Sequence, residues 1–312
     1  MNDTQVKDVV IVGGGPAGLS AALILGRGRK RVLLCDAGAP RNERAEHMHG
    51  FVTRDGIPPA EFRAIGREQL RPYDVDVRNV RVERIEPKGT RFLVTLSDGQ
   101  RVEARKVLLT TGMVDQVPDQ PGFRELWAHS VFQCPYCHGW EIRDRGWGVL
   151  VHQENTHHPY VDFVLFLKGW TSSLTLYTQG GLALTAEQRE SLRRAEVRVV
   201  EGKVRGLIPT QDGQRLEAVE LEDGTRVPQE YLFAHPPQKQ TALVQDLGLA
   251  LDELGFVKVG PTLETSVPGI YAAGDLTTRL QGALVAASAG AMAAYTLNHL
   301  LNIDSLGQPH AG

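Results

Sequence analysis

Asp8-Val9-Val10-Ile11-Val12-Gly13-Gly14-Gly15-Pro16-Ala17-Gly18 decides the fold of the first part of the chain. Val9 to Val12 is an unbroken branched apolar run, the pattern of a strand buried on both faces of a parallel sheet. Glycines follow at once, and Leu19 to Leu25 continues as a helix. Strand, glycine turn and helix open a dinucleotide-binding unit. In such a unit Gly13 makes the turn, Gly15 lets backbone approach a pyrophosphate, and Gly18 lets helix and strand pack. Pro16 and Ala17 lie in the same turn as candidate cofactor contacts, and the N-terminus of the helix that follows supplies amide donors. A second apolar run, Arg31 to Cys35, ends in Asp36, where an acid bonds a ribose hydroxyl. An acid there favours an unphosphorylated ribose, so FAD or NAD rather than NADP.

Working outward, residues 40–59 lose periodicity, and their position after the second strand makes Asn42, His49 and Gly50 candidate cofactor contacts. Ala60 to Leu70 reads as an amphipathic helix, and Val75 to Val102 as short strands with turns at Pro87-Lys88-Gly89 and Ser97-Asp98-Gly99. Lys106 to Gly112 reads as another buried strand, ending in small residues, Thr111 and Gly112, that let backbone touch a ligand. Near the other end, Gly269 to Ala273 reads as a buried strand, Gly274-Asp275 as a turn, and Ala283 to Leu301 as a helix. Its small residues point to close packing against a cofactor rather than to a membrane span. Cys35 is a small buried hydrophobe with no chemistry assigned.

The chain has 312 residues, 42% hydrophobic and 23% charged, enough for two domains. A net charge of -3 and a pI near 6.4 argue against nucleic acid as the main partner, since phosphate binding wants a clustered positive excess. Three cysteines, two of them three apart, suit a reducing cytoplasm and a catalytic pair.

That pair lies in Gln133-Cys134-Pro135-Tyr136-Cys137-His138-Gly139-Trp140-Glu141, which reads as the start of a helix. Two thiols so spaced can close and reopen a small disulfide, and the positive helix end lowers a thiolate's pKa. Attachment of c-type haem is disfavoured because MNDTQVKDVV lacks an export signal. Zinc lacks further ligands, and a glutaredoxin core would lie near the start of a small unit.

The Gly13 to Gly18 turn with Asp36, the Thr110-Thr111-Gly112 strand end, the Cys134/Cys137 pair and Tyr271-Ala272-Ala273-Gly274-Asp275, in that order, resemble the low-molecular-weight thioredoxin reductases. The resemblance covers nearly the whole chain. It implies an α/β protein of two Rossmann-like three-layer domains, the second inserted into the first. The FAD domain would comprise residues 1–115 and 240–312, and the disulfide domain residues 116–239. It also implies that Gly274 and Asp275 hold the FAD ribitol and phosphates, that Gln281, Gly282 and Ala283 line the isoalloxazine, and that the protein is a homodimer. Cys137 would exchange electrons with the flavin and Cys134 with a partner's sulfur.

The chain departs from that family in two places. After Gly148-Val149-Leu150-Val151, the first strand of the inserted domain, the family has a glycine turn; here residues 152–159 contain no glycine, and Glu154 adds a like charge. After the second strand, Leu174 to Tyr177, comes Thr178-Gln179-Gly180-Gly181, without basic residues for a 2'-phosphate. Both halves of an NADPH site look absent. His152, His157 and His158 lack the spacing of a metal site, so no metal is assigned. The second departure is His138, where thioredoxin reductases carry an Asp; an imidazole can still move the proton of thiol-disulfide exchange. With His138 the motif resembles that of dithiol oxidases.

Three functions remain. One is a flavin-dependent disulfide oxidoreductase that does not use NADPH. It would be fed by ferredoxin or a second flavin, or run backwards as a dithiol oxidase, with a thioredoxin-like protein or a small dithiol as partner. The others are an NADPH-dependent thioredoxin reductase with an altered nucleotide site, and a non-catalytic redox sensor.

Overall fold

A computed structural model of the protein describes residues 6–152, 154–155 and 157–306. They form two compact units: the described residues within 6–43, 51–114 and 239–306 make the first, and those within 44–50 and 115–238 the second.

The first unit begins with β1 (Lys7–Val12), α1 (Pro16–Arg27), β2 (Val32–Cys35), α2 (Pro59–Glu68) and β3 (Val75–Arg78). A hairpin, β4 (Val82–Lys88) and β5 (Arg91–Leu96), leads into the long strand β6 (Arg101–Leu109). The strands run in the order β3-β2-β1-β6-β5-β4. β1 lies parallel to β2 on one side, with Val10 opposite Leu33, and to β6 on the other, with Val10 opposite Val107. The connections therefore reverse direction at β1/β6, the point where such sheets bind ligands.

The chain then enters the second unit through β7 (Val114–Asp115), α3 (Phe123–Leu126), β8 (Val131–Phe132) and α4 (Pro135–His138). β9 (Trp147–Leu150), α5 (Tyr160–Phe166), β10 (Leu174–Tyr177), α6 (Ala186–Arg194) and β11 (Arg198–Val200) follow. A meander of β12 (Val204–Pro209), β13 (Leu216–Leu221) and β14 (Arg226–Pro228) precedes β15 (Tyr231–Ala234). The central sheet is parallel, ordered β11-β10-β9-β15-β8. One core lies under α5 and α6, with Val161, Val164 and Leu192 beside Trp147 and Val149. The other lies under the meander, with Leu207 and Val219 beside Leu150 and Leu232.

β16 (Gln238–Lys239) pairs with β7, and α7 (Ala242–Asp246), β17 (Ile270–Ala272) and α8 (Ala283–Ser305) complete the first unit. β6 does double duty on one edge. Its first half pairs antiparallel with β5 (Ala104 opposite Phe92) and its last three residues pair parallel with β17 (Leu108 opposite Tyr271). Along β1, Val9 and Ile11 pack with α1 and α8, while Val10 and Val12 pack with the hairpin and with Val244 and Phe256. Both faces are dry, which is why the run does not alternate.

α8 is long and apolar enough by composition to cross a membrane. Its small-residue face instead packs on α1: a Cβ placed on Gly290 would run into the backbone of Ala17. Two local expectations are corrected. The strand read from Lys106 begins at Arg101, because its first residues hold the hairpin. The helix expected to open at Cys134 is one turn of four residues, so its dipole lends a thiolate little.

Candidate active site

In the first unit the candidate residues gather at the carboxyl ends of the parallel strands. Gly13 leaves β1 with φ +115, and a Cβ there would strike the Thr110 carbonyl; one on Gly18 would strike the carbonyl of Gly13. The Thr110 hydroxyl donates to the carbonyls of Val12 (3.0 Å) and Gly13 (2.9 Å), locking the turn against β6. Gly15, the N-cap of α1, is different: a Cβ there would meet nothing within 4 Å. That space, in front of the N-terminus of a twelve-residue helix that begins with Pro16 and Ala17, suits a pyrophosphate. Gly112 and Gly282 open on similar space, and the Thr111 hydroxyl is buried with no hydrogen-bond partner among the described residues. The cradle therefore fits a dinucleotide.

Asp36 follows β2 with its carboxylate against Gly14, ion-paired to Arg67 of α2, which also reaches Asn79 (2.6 Å). Across the turn, Gly274 (φ +91) leads from β17 to Asp275. Arg41 lies 3.5 Å from the Asp275 carboxylate and donates to the Gln281 side chain, whose amide approaches the Asp275 carbonyl (3.4 Å). Gln281, Gly282 and Ala283 form the N-terminal approach to α8. Asn42, half-buried, sits beside Arg41 in the chain. His49 and Gly50 group with the second unit, where His49 Nε2 is 3.6 Å from Glu141. Sequence pattern places Arg41 in the aperiodic loop after the second strand but ties neither it nor Arg67 to a carboxylate, because their partners are 234 and 31 residues away.

In the second unit Cys134 and Cys137 form a disulfide, with Cα atoms 5.3 Å apart. The sharp turn at Cys134, extended backbone followed by Pro135, brings them together. His138 stacks on Phe132 of β8, ring centroids 4.1 Å apart and planes 17° apart. Its Nδ1 is buried without a well-formed hydrogen bond among the described residues. Burial lowers the imidazole pKa to about 4, against small opposing effects of Glu141 and the Cys134 carbonyl. At neutral pH His138 is therefore uncharged beside the disulfide. Trp147 is fully buried, its indole donating to the Ile142 carbonyl (2.8 Å); Trp140 is exposed under the Arg143 guanidinium (4.1 Å). Tyr136, between the cysteines, is also exposed and meets Trp170 edge-on (5.5 Å).

The carboxyl ends of β9 and β15, where a nucleotide's phosphates would lie, are filled by side chains. The Tyr160 hydroxyl accepts from the His152 amide (2.9 Å) and approaches its carbonyl (3.3 Å). Asn155 donates to the His235 carbonyl (2.9 Å). The His158 ring rests against His235 (4.1 Å), Tyr160 (4.5 Å) and Phe163 (5.2 Å). Burial lowers the His152 pKa, with Glu154 opposing it. α5 has seven residues and Asp162 in its first turn, a poor seat for an anion. After β10, Gln179 bonds the Val151 carbonyl (3.1 Å) and the Val204 amide (3.3 Å), tying that end shut. Among the described residues no group of His, Cys, Asp or Glu could hold a metal.

Comparison with known proteins gives these relations. The family model for pyridine nucleotide-disulphide oxidoreductases matches residues 7–156 and 170–290, leaving out the end of the filled loop and α5. Thioredoxin reductase tcpT of Claviceps purpurea is 33% identical over 99% of this chain and 98% of its own. The crystal structure of HlmI superposes with a TM-score of 0.89 at 35% identity, covering 97% of this chain and 94% of that one. An oxidoreductase of Agrobacterium tumefaciens gives 0.87 at 33% identity, covering 96% and 99%.

Proposed function

The chain belongs to the pyridine nucleotide-disulphide oxidoreductase family, as a thioredoxin reductase-like, FAD-dependent disulfide oxidoreductase, and from that premise we propose that it does not draw electrons from NADPH bound in the usual place. The filled end of β9 carries this reading. Where a glycine cradle would wrap a pyrophosphate, Tyr160, Asn155 and His158 close the loop onto itself and onto His235. Clearing that space means breaking hydrogen bonds of about 1 kcal/mol each and exposing stacked rings.

FAD would be held by Gly13, Gly15, Pro16, Ala17 and Gly18 at its pyrophosphate and by Asp36 at its adenosine ribose. Asn42, Thr111, Gly112, Gly274, Asp275, Gln281, Gly282 and Ala283 would take the other half, across the β1/β6 switch point. When bound, FAD supplies the two-electron exchange with the disulfide. The protein's part is thiol chemistry. A partner thiolate attacks Cys134, forming a mixed disulfide and releasing Cys137 as thiolate; the partner's second thiolate then displaces Cys134. The partner gives up two protons with its two electrons; His138, neutral beside the disulfide, takes one once the released Cys137 thiolate next to it raises its proton affinity. Run the other way, the same residues reduce a partner disulfide with electrons from ferredoxin or a second flavin. A thioredoxin-like protein or a small dithiol suits either direction. The protein acts as a homodimer in this reading, which the exposed Leu284, Met292 and Tyr295 along α8 support.

Anaerobic titration of the oxidised holoprotein tests the donor. Dithiothreitol bleaches the flavin absorbance; NADPH in stoichiometric amount leaves it unchanged. Rapid bleaching by NADPH would establish a thioredoxin reductase with a reshaped nucleotide site instead.

A further inference from the structure

We propose that Arg41 sets the redox balance of the flavin, as a positioning residue whose fixed positive charge favours the reduced state. Arg41 joins three segments of the first unit: the loop after β2, the turn after β17 and the approach to α8. Its guanidinium is 3.5 Å from Asp275 and donates to Gln281, which in turn reaches the Asp275 carbonyl (3.4 Å). These partners fix it, since an arginine bonded to a carboxylate and an amide has little freedom left.

Its location follows from the sheet. Asp36, just past the end of β2, takes the adenosine ribose, and Gly15 with the start of α1 takes the pyrophosphate. The remaining half of the dinucleotide then runs across the switch point toward the ends of β6 and β17. Arg41, Asp275 and Gln281 meet on that side. A dithiol becoming a disulfide releases two electrons and two protons. An isoalloxazine that takes both electrons and one proton gains one negative charge, and the second proton leaves to solvent. A cation held beside the N-terminus of α8 offsets that charge, adding to the helix's own positive end.

Arg41→Gln keeps a hydrogen-bonding side chain and removes the charge; Arg41→Lys keeps the charge. Both are tested as holoproteins by sulfite binding, which adds an anion to the oxidised ring and needs no partner or electron donor. Arg41→Gln is expected to bind sulfite roughly tenfold more weakly, as loss of a partly screened charge implies. Its two-electron midpoint falls correspondingly, by about 30 mV for a tenfold change. Arg41→Lys stays within about twofold of the natural protein on the same electrostatic ground. Unchanged sulfite affinity in Arg41→Gln overturns the proposal. So does an equal shift in both variants, which would assign the effect to guanidinium geometry. Loss of FAD from Arg41→Gln alone also overturns it, by making Arg41 a binding residue.

Discussion

The imidazole of His138 lies nearly flat on the ring of Phe132, 4.1 Å between centroids, within one turn of the Cys134–Cys137 disulfide. Stacking and burial keep it neutral, with a pKa of about 4. The folded value lies below the unfolded one, so the stabilising difference is complete above the unfolded pKa, near 6.5, and is lost as pH falls toward 4. Denaturant unfolding at pH 7 and pH 4 should show His138→Asn losing less stability than the natural protein, by roughly 3 kcal/mol. Phe132→Leu should move the imidazole pKa upward, read from ring-proton shifts. In turnover with a dithiol, His138→Asn is expected to be slower by roughly 100-fold, the scale of a lost proton-transfer group. A pH–rate profile unchanged by that substitution would reduce His138 to packing.

Gly15 and Gly290 should separate cofactor binding from folding. Gly15 has φ -77 and open space before it, so Gly15→Ala should fold with a stability change below about 0.5 kcal/mol yet purify without flavin. Gly290→Ala pushes a methyl into the Ala17 backbone and should cost about 1–3 kcal/mol. Flavin content by absorbance and unfolding midpoint decide both; a flavin-replete Gly15→Ala protein would refute the pyrophosphate assignment.

Thermal unfolding of the holoprotein in excess NADPH gives a check independent of electron transfer. A site occupied at one hundred times its dissociation constant is stabilised by about 2.7 kcal/mol. The filled loop predicts no shift in midpoint, and a shift of that size would mean the loop opens to admit the nucleotide.

Cys35 is almost fully buried, and burial raises its thiol pKa to about 12. After reduction, two thiols per chain should react quickly with a disulfide reagent at pH 8, and the third only in denaturant. Three fast thiols would show that β2 is exposed.

Local pattern made β1, the glycine turn, α1 and β2 legible, because a doubly buried strand followed by glycines has few other uses. β6 was harder: its alternating first half and apolar second half look like two strands, and only the pairing with β5 and then β17 makes them one. The absence of glycine in residues 152–159 could be read directly; that Tyr160 and His235 fill the space could not, since His235 is far along the chain. Nor could Arg41 and Arg67 be tied to their carboxylates, because such pairs carry no spacing signal. The shortness of α4 was equally hidden, because a helix opening says nothing of where the helix stops.

The late return of β17 to the edge of β6 has a consequence for biosynthesis. Val107, Leu108 and Leu109 wait without their strand partners on that side until Ile270, Tyr271 and Ala272 leave the ribosome. The inserted unit, complete by residue 238, is free to fold first. α1 meanwhile lacks α8, and Asp275 and Gln281 do not yet exist. On the proposed site FAD capture would thus come last: a nascent chain that stalls before α8 carries the disulfide motif without the turn and helix that complete the cradle.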